Sequence, residues 1–360
     1  MQWLLLLILM PYLTIMLKLF SGLKKIRNFT PGKTPDIFVS VVVACRNEAG
    51  RLPGLLSDIA AQTYNCDNYE LIIADDNSTD KTVRVASEYE GIRNLKVVRS
   101  NGIGKKHALK TAIEASRGEL IITTDADCRA GEGWISSIAS YFEAKKPHMI
   151  IGPVMPECPG GIIGNFSELE FLSLQAVTAA AAAIGYPVMC NGANLAFTKD
   201  VFLRHYPDIH FNLNTGDDVF LLHSLKADRG SRIEWLESPE AAVKTILPGN
   251  LIPFLVQRAR WLSKAGHYRD RHTIIMAVVT FAAALLLTGL FISGMVKISL
   301  LPVFLAALVM KSVPDYLLLS YTAHRYGNKK IMKWFLPSTI IYPFFVLSVI
   351  LFLPAGKGRR

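Results

Sequence analysis

"ELIITTDADC", residues 119–128, is an apolar run that ends on two carboxylates, Asp125 and Asp127, one residue apart. A short run of β-branched and apolar residues bounded by turn formers reads as a strand buried in a sheet. Four more runs of this kind flank it: "IFVSVVVA" (37–44), "ELIIAD" (70–75), "LKVVRS" (95–100) and "HMIIGP" (148–153). Helix-like stretches fall near 50–62, 79–90, 105–117 and 132–145. This β-α repetition predicts an α/β fold with a largely parallel sheet and helices on both faces. In open α/β sheets ligands sit beyond the carboxyl ends of the strands. The two carboxylates therefore stand where a site is expected.

Other polar clusters occupy equivalent places. "ACRNE" (44–48) follows the first strand, "DDNSTD" (75–80) the second, and "GIGKKHALK" (102–110) precedes the fourth. Taken singly each is an ordinary turn, and Asp76 or Ser78 would serve as a helix cap. Taken together at strand ends they predict convergence on one ligand. "GIGKK" is not a phosphate loop of the G-x-x-x-x-G-K-S/T type, because position 99 is Arg and position 106 is Lys.

Asp125 and Asp127 at this spacing can offer oxygens to one hard divalent cation, Mg²⁺ or Mn²⁺, leaving its other positions to water and a diphosphate. Such a cation favours departure of a diphosphate leaving group. In "NTGDDVFLL" (214–222), Asp217 and Asp218 precede an apolar helical run. They read either as caps or as a carboxylate base for an attacking hydroxyl. "QRARW" (257–261) sets two guanidinium groups and an indole on an amphipathic stretch, the composition of an interfacial anchor as well as of a site.

The ends of the chain are apolar. Hydrophobic residues make up 51% of the 360, and Met1–Leu17 and Thr273–Val296 carry no charge. At about 1.5 Å per residue the second run crosses a hydrocarbon core of about 30 Å. The first reads as a retained anchor, since it lacks a basic leader and a cleavage site. Trp334–Pro354 is a third candidate and Ile298–Tyr321 a fourth, interrupted by Lys311 and Asp315. Those two lie four apart on one helical face. Either they neutralise each other or line a polar path, or the helix ends near Met310. Basic residues after the first run, before the second and in "HRYGNKKIMK" (324–333) put residues 28–272 on the cytoplasmic side by the positive-inside rule. Four crossings would then leave the basic tail "GKGRR" outside, against that rule. Residues 246–272 are expected along the membrane face, with Leu251, Phe254, Leu255 and Leu262 dipping inward.

The net charge of +10 suits anionic lipid and phosphate ligands. Nucleic acid is not expected, because the basic residues flank apolar spans and no nucleic-acid-binding motif is present. The five cysteines lack paired metal spacing and read as reduced structural thiols.

As an ordered set, "DDNSTD", "DAD", "GDD" and "QRARW" make the stretch from about Val39 to Trp261 resemble family 2 glycosyltransferases of the GT-A fold. The likeness is to the membrane-embedded branch that includes cellulose, chitin and hyaluronan synthases and related glycolipid-forming enzymes. The resemblance implies a GT-A domain (28–245) between an anchor (1–20), an interfacial segment (246–272) and a membrane region (273–354). It implies that Ala44, Arg46 and Asp76 bind the uridine of a UDP-sugar and that Lys105 lies near the nucleotide or its phosphates. Asp127 would be the main ligand of Mg²⁺ or Mn²⁺, with Asp125 shared between metal and donor, and Asp218 the catalytic base. Gln257 and Arg260 would meet the diphosphate side, and Trp261, Asp217, Asn191 and Gly192 of "CNGAN" (190–194) the acceptor. Asp217 departs from the family's usual Glu by one methylene. Four or fewer spans are also few for a polymer channel, which a partner subunit or a homo-oligomer would have to complete. The function implied is inverting transfer of a sugar to a hydroxyl of a lipid, lipid-linked glycan or growing polysaccharide. A polyprenyl-phosphate sugar synthase, with a phosphate acceptor, is the near alternative. A non-catalytic membrane subunit or transporter is the distant one.

Overall fold

The computed structural model describes residues 2–32, 35–211, 213 and 215–357. Asn214 and residues 358–360 of the basic tail lie outside them. The chain divides into two compact units, one of Arg27–Glu157 with Met189–Ile246, the other of Met1–Ile26, Cys158–Val188 and Leu247–Arg359.

The first unit is built on strands β1 (Val39–Cys45), β2 (Tyr69–Asp75), β3 (Leu95–Arg99), β4 (Leu120–Asp125), β5 (Arg129–Ala130), β6 (Met149–Ile151), β7 (Val154–Glu157), β8 (Leu195–Thr198), β9 (Ile233–Trp235) and β10 (Val243–Ile246). Seven form one sheet in the order β3-β2-β1-β4-β8-β6-β9, and β5-β10-β7 form a small second sheet. In the large sheet only β8 runs antiparallel to its neighbours β4 and β6. Val39, Val41, Val42 and Val43 are fully buried, as are Leu71, Ile72 and Leu120–Ile122. Strands covered on both faces need such unbroken apolar runs, each large side chain contributing about 1.5–3 kcal/mol on burial. Register fixes the carboxyl edge: Ala44 pairs with Asp125, and Cys45 with Asp75.

The first four strands lie within two residues of their expected positions. "HMIIGP" contains the whole of β6 and stops just short of β7, which lies in the other sheet. The break falls at Gly152, where a Cβ would meet the Asn194 amide at 2.4 Å, and at Pro153, which has no N–H to give a ladder.

The second unit is helical. Among the described residues four helices are long and apolar enough to cross a membrane: Gln2–Lys25, Arg271–Val296, Ile298–Arg325 and Lys329–Leu351. Leu9 and Tyr12 pack with Ala283, Leu287, Leu290, Val303 and Ala307. A further helix, Gly161–Ala183, which sequence periodicity did not reveal, lies against the first at Gly22, where a Cβ would stand 2.9 Å from the Ala180 carbonyl. The alanine run 179–183 thus allows close helix packing.

Of the alternatives for Lys311 and Asp315, mutual neutralisation holds, while one expectation for the helix Leu251–Leu262 is corrected. The helix Leu301–Arg325 does not end at Met310 but runs through Lys311 and Asp315, which form a buried ion pair at 2.5 Å. Tyr12 donates to the second Asp315 oxygen at 2.6 Å. In the helix Leu251–Leu262, Phe254 and Leu255, expected to dip into the membrane, are instead buried within the helical unit. They pack with Phe166, Ala259, Phe345 and Val349, while Leu251 and Leu262 are exposed.

Candidate active site

The loops after β1 and β2 brace each other. Asn47 and Asn77 both adopt φ of 57°, a left-handed conformation that Asn tolerates better than most residues. The Asn47 N–H donates to Ser78 Oγ at 3.0 Å, and Asn47 Oδ1 accepts from the Thr79 N–H at 2.8 Å. The Glu48 N–H donates to Thr82 Oγ1 at 2.7 Å. These short polar side chains tie the "ACRNE" and "DDNSTD" turns into one rim.

Asp76 is buried at this rim. One of its oxygens accepts from the Gly104 N–H at 2.7 Å, and the other lies 3.9 Å from Arg46. It therefore does not cap the helix Thr82–Ser87. Gly104 has φ of 101°, open to glycine and strained for other residues, and it starts the helix Lys105–Ala115. Lys105, first in that helix, reaches Asp125 at 2.5 Å and Asp217 at 4.0 Å. Its burial lowers the pKa, but Asp125, Asp217 and Asp218 together outweigh this and raise it, so Lys105 is a fixed cation.

The turn after β4 is held from outside the site. Arg129 makes two bonds to Asp58, at 2.6 and 2.7 Å, and the Ala130 N–H donates to the same carboxylate. Asp125, Asp127 and Cys128 have their potential ligand atoms within 4.8 Å of one another. Burial, then the charge of Asp125, raises the Asp127 pKa, and a bound cation would relieve both costs. Burial pushes the Cys128 thiol up to about 12, which leaves it neutral and a poor ligand for a hard ion. The donor set thus fits Mg²⁺ or Mn²⁺ on the two carboxylates.

On the far side, Thr123 of β4 donates to the carbonyls of Gly192 and Leu195, fixing the "CNGAN" loop against the sheet. Asn194 is buried, giving both amide hydrogens to Pro153 and Ala241 and accepting from the Trp134 indole. Asn191 turns its side-chain oxygen to the Ala193 N–H. Asp217 and Asp218 open the helix Asp217–Ala227, but its N-cap is Gly216 at φ of 90°, so neither acts as the cap. Asp218 accepts from the Gly192 N–H at 3.1 Å and from the Val219 N–H at 2.7 Å.

Ala44, Arg46, Asp76, Lys105, Asp125, Asp127, Asn191, Gly192, Asp217 and Asp218 thus all belong to one unit. Gln257, Arg260 and Trp261 belong to the helical unit, on the helix Leu251–Leu262, where Arg260 is exposed and Gln257 and Trp261 are half-buried. Two partners escaped sequence reasoning. Glu48, raised by burial and by Asp127, adds a further carboxylate near the pair, and Arg51 offsets it. Asp58 holds the Asp127 turn from 71 residues away. The final letter of "ACRNE" was a signal for the first; no sequence feature linked the second to Arg129.

Residues 40–174 match Glycosyl transferase family 2, and residues 120–322, more than half of the chain, match Glycosyl transferase family group 2. The chain belongs to glycosyltransferase family 2. An N-acetylglucosaminyltransferase of Mesorhizobium japonicum is 28% identical to this glycosyltransferase over 248 residues, 64% of this chain and 56% of that protein. A beta-monoglucosyldiacylglycerol synthase of a Nostoc species is 32% identical over 113 residues, 30% of this chain and 24% of that one. The chain therefore spans about half the length of the first relative and about a quarter of the second. Among solved structures, mannosyltransferase PcManGT from Pyrobaculum calidifontis, in complex with GDP-Man and Mn²⁺, has a TM-score of 0.60 at 20% identity. It covers 99% of this chain and 100% of its own. That likeness shows the fold, a GT-A sheet, here accompanied by four apolar helices. Membership of an enzyme family sets aside the non-catalytic reading.

Proposed function

We propose that this glycosyltransferase moves a sugar from a UDP-sugar to a hydroxyl of a lipid, lipid-linked glycan or growing polysaccharide, with inversion at the anomeric carbon. The observation that carries the reading is the convergence of Asp125, Asp217 and the Asp218 side on one lysine, Lys105, at the carboxyl edge of the sheet. A site with that balance has carboxylates to spare for a proton and a cation, and a fixed positive charge beside them. The apolar helices, and a relative named for diacylglycerol, support an acceptor that arrives from a bilayer.

In this mechanism Arg46 and Asp76, with Ala44, hold the base and ribose of the donor on the rim. Asp127, with Asp125, holds Mg²⁺ or Mn²⁺, as the Mn²⁺ of the similar mannosyltransferase supports. When bound, the ion offsets charge on the departing diphosphate. Lys105 adds a second, permanent positive charge near the phosphates. Asp218, held by the Gly192 and Val219 N–H groups, takes the proton of the acceptor hydroxyl. The hydroxyl oxygen then bonds to the anomeric carbon as the carbon–oxygen bond to the diphosphate breaks. Nucleoside diphosphate leaves with that electron pair, and an α-linked donor gives a β-linked product. Asp217, Asn191 and Gly192 line the acceptor side.

The catalytic unit is assigned to the cytoplasmic face, in keeping with the basic residues around the spans. The test is release of nucleoside diphosphate by the purified protein in nanodiscs, with Mn²⁺ or Mg²⁺ and a panel of UDP- and GDP-sugars. Consumption of one UDP-sugar, lost in both Asp127→Ala and Asp218→Asn, is the expected result. Transfer to a polyprenyl phosphate in preference to any hydroxyl acceptor would overturn the acceptor assignment.

A further inference from the structure

Within "QRARW", Arg258 has been given no role in the site so far. Arg258 is buried, and each of its three guanidinium nitrogens makes a hydrogen bond. Nε donates to both oxygens of Glu170 at 3.0 and 2.9 Å, one terminal nitrogen donates to Glu170 at 2.5 Å, and the other donates to Gln257 Oε1 at 2.5 Å. The guanidinium also lies over the rings of Phe254 and Trp261, 4.8 and 4.2 Å from their centroids. These rings are four residues before and three after Arg258, on one face of the helix.

A buried ion pair is a poor device for stability alone. Desolvating each ion costs several kcal/mol, and well-packed apolar residues of the same volume often do better. What the pair supplies is direction. A guanidinium only donates, so the oxygen of Gln257 must be the atom that faces it, and the Gln257 NH₂ is left to meet oxygen atoms as a donor. A planar cation fixed by Glu170 likewise gives the Trp261 ring a flat seat that an ammonium could not.

We propose that Glu170 and Arg258 are positioning residues, which set the Trp261 ring and hold the Gln257 amide with its NH₂ free to act as a donor. The proposal rests on the transfer reaction given above for its effect on rate, and on the ring contact alone for its structural part.

The test uses the full chain in nanodiscs, labelled with 5-fluorotryptophan. Five tryptophans give five ¹⁹F resonances, and Trp261→Phe identifies one of them. Arg258→Lys keeps the charge for Glu170 but removes the planar seat. The Trp261 resonance should move while the other four stay. With the UDP-sugar that the wild type consumes best, kcat should fall about tenfold or more with little change in donor KM, as misplacement of a positioning group predicts. Glu170→Gln should do the same, and it decides the matter if Arg258→Lys does not fold. An unmoved Trp261 resonance in a folded variant, or an unchanged kcat, overturns the proposal. If the wild type consumes no nucleotide sugar, the transfer reading falls by itself and the resonance still decides whether the pair seats Trp261.

Discussion

One oxygen of Asp218 accepts the Gly192 N–H at 3.1 Å, joining the first turn of one helix to the "CNGAN" loop. The other oxygen accepts the N–H of Val219, the next residue. A carboxylate held by two backbone donors keeps its place without help from a ligand and can still take a proton.

Asp218→Asn retains one acceptor oxygen and loses the base. Stability should fall by about 1 kcal/mol, the value of one hydrogen bond. Turnover should fall by about 10²–10⁴, the usual contribution of general-base catalysis. Thermal unfolding and diphosphate release, measured on the same preparation, separate the two effects.

Chelation should abolish transfer, and Mn²⁺ or Mg²⁺ should restore it. Cys128→Ser should change activity less than about threefold, because a neutral thiol adds little to a hard oxygen site. Since burial raises the Asp127 pKa, protons compete with the cation more strongly as pH falls. Titrating metal at pH 5 and pH 7 should therefore show a higher metal requirement at the lower pH.

Lys105→Gln removes the cation between Asp125 and Asp217. Because these groups are partly exposed, the stability cost should be under about 1 kcal/mol. Turnover should fall about 10²-fold or more, the scale seen when a preplaced electrostatic donor is removed. A normal turnover in this variant would remove Lys105 from the phosphate side.

Glu70 gives a test remote from the site. Its buried carboxylate accepts from Ser40, from the Arg117 N–H and from Lys96. Burial pushes its pKa up, but these partners prevail and lower it. A depressed carboxylate stabilises the fold above its unfolded pKa of about 4.3 and ceases to do so as pH falls through the lower folded value. Glu70→Gln should thus be destabilised at pH 7, and its gap from the wild type should narrow at pH 3. Denaturation curves at the two pH values check the sign.

Lys311→Met would leave Asp315 buried without its cation. Breaking a buried pair costs about 3–5 kcal/mol, whereas replacing both members by apolar residues often costs little. Lys311→Met with Asp315→Leu should accordingly unfold in detergent nearer to the wild type than Lys311→Met alone.

The central strands could be read from the chain because strands buried on both faces leave unbroken apolar runs, as in Val39–Val43 and Leu120–Ile122. The short pieces β5, β8, β9 and β10 could not. "LAFT", the antiparallel β8, has four residues and no period of its own, and its place depends on Thr123 and Asn194. The helix Gly161–Ala183 was hidden because it is buried around much of its circumference and so shows no polar stripe. At the site, the carboxylates were visible as letters in order. Their partners were not: Lys105 meets Asp125 across 20 residues of sequence, and Gly192 meets Asp218 across 26.

The union of Tyr12 with Asp315 joins residues 303 apart in the chain. During synthesis the first apolar helix is made long before the carboxylate that fastens it. Lys311 and Asp315, one helical turn apart, cancel each other's charge as soon as their own helix forms, so that helix can enter hydrocarbon as a neutral rod. The earliest helix, by contrast, must wait with its phenol unpartnered. The Tyr12–Asp315 contact can therefore close only once the chain has been made as far as residue 315.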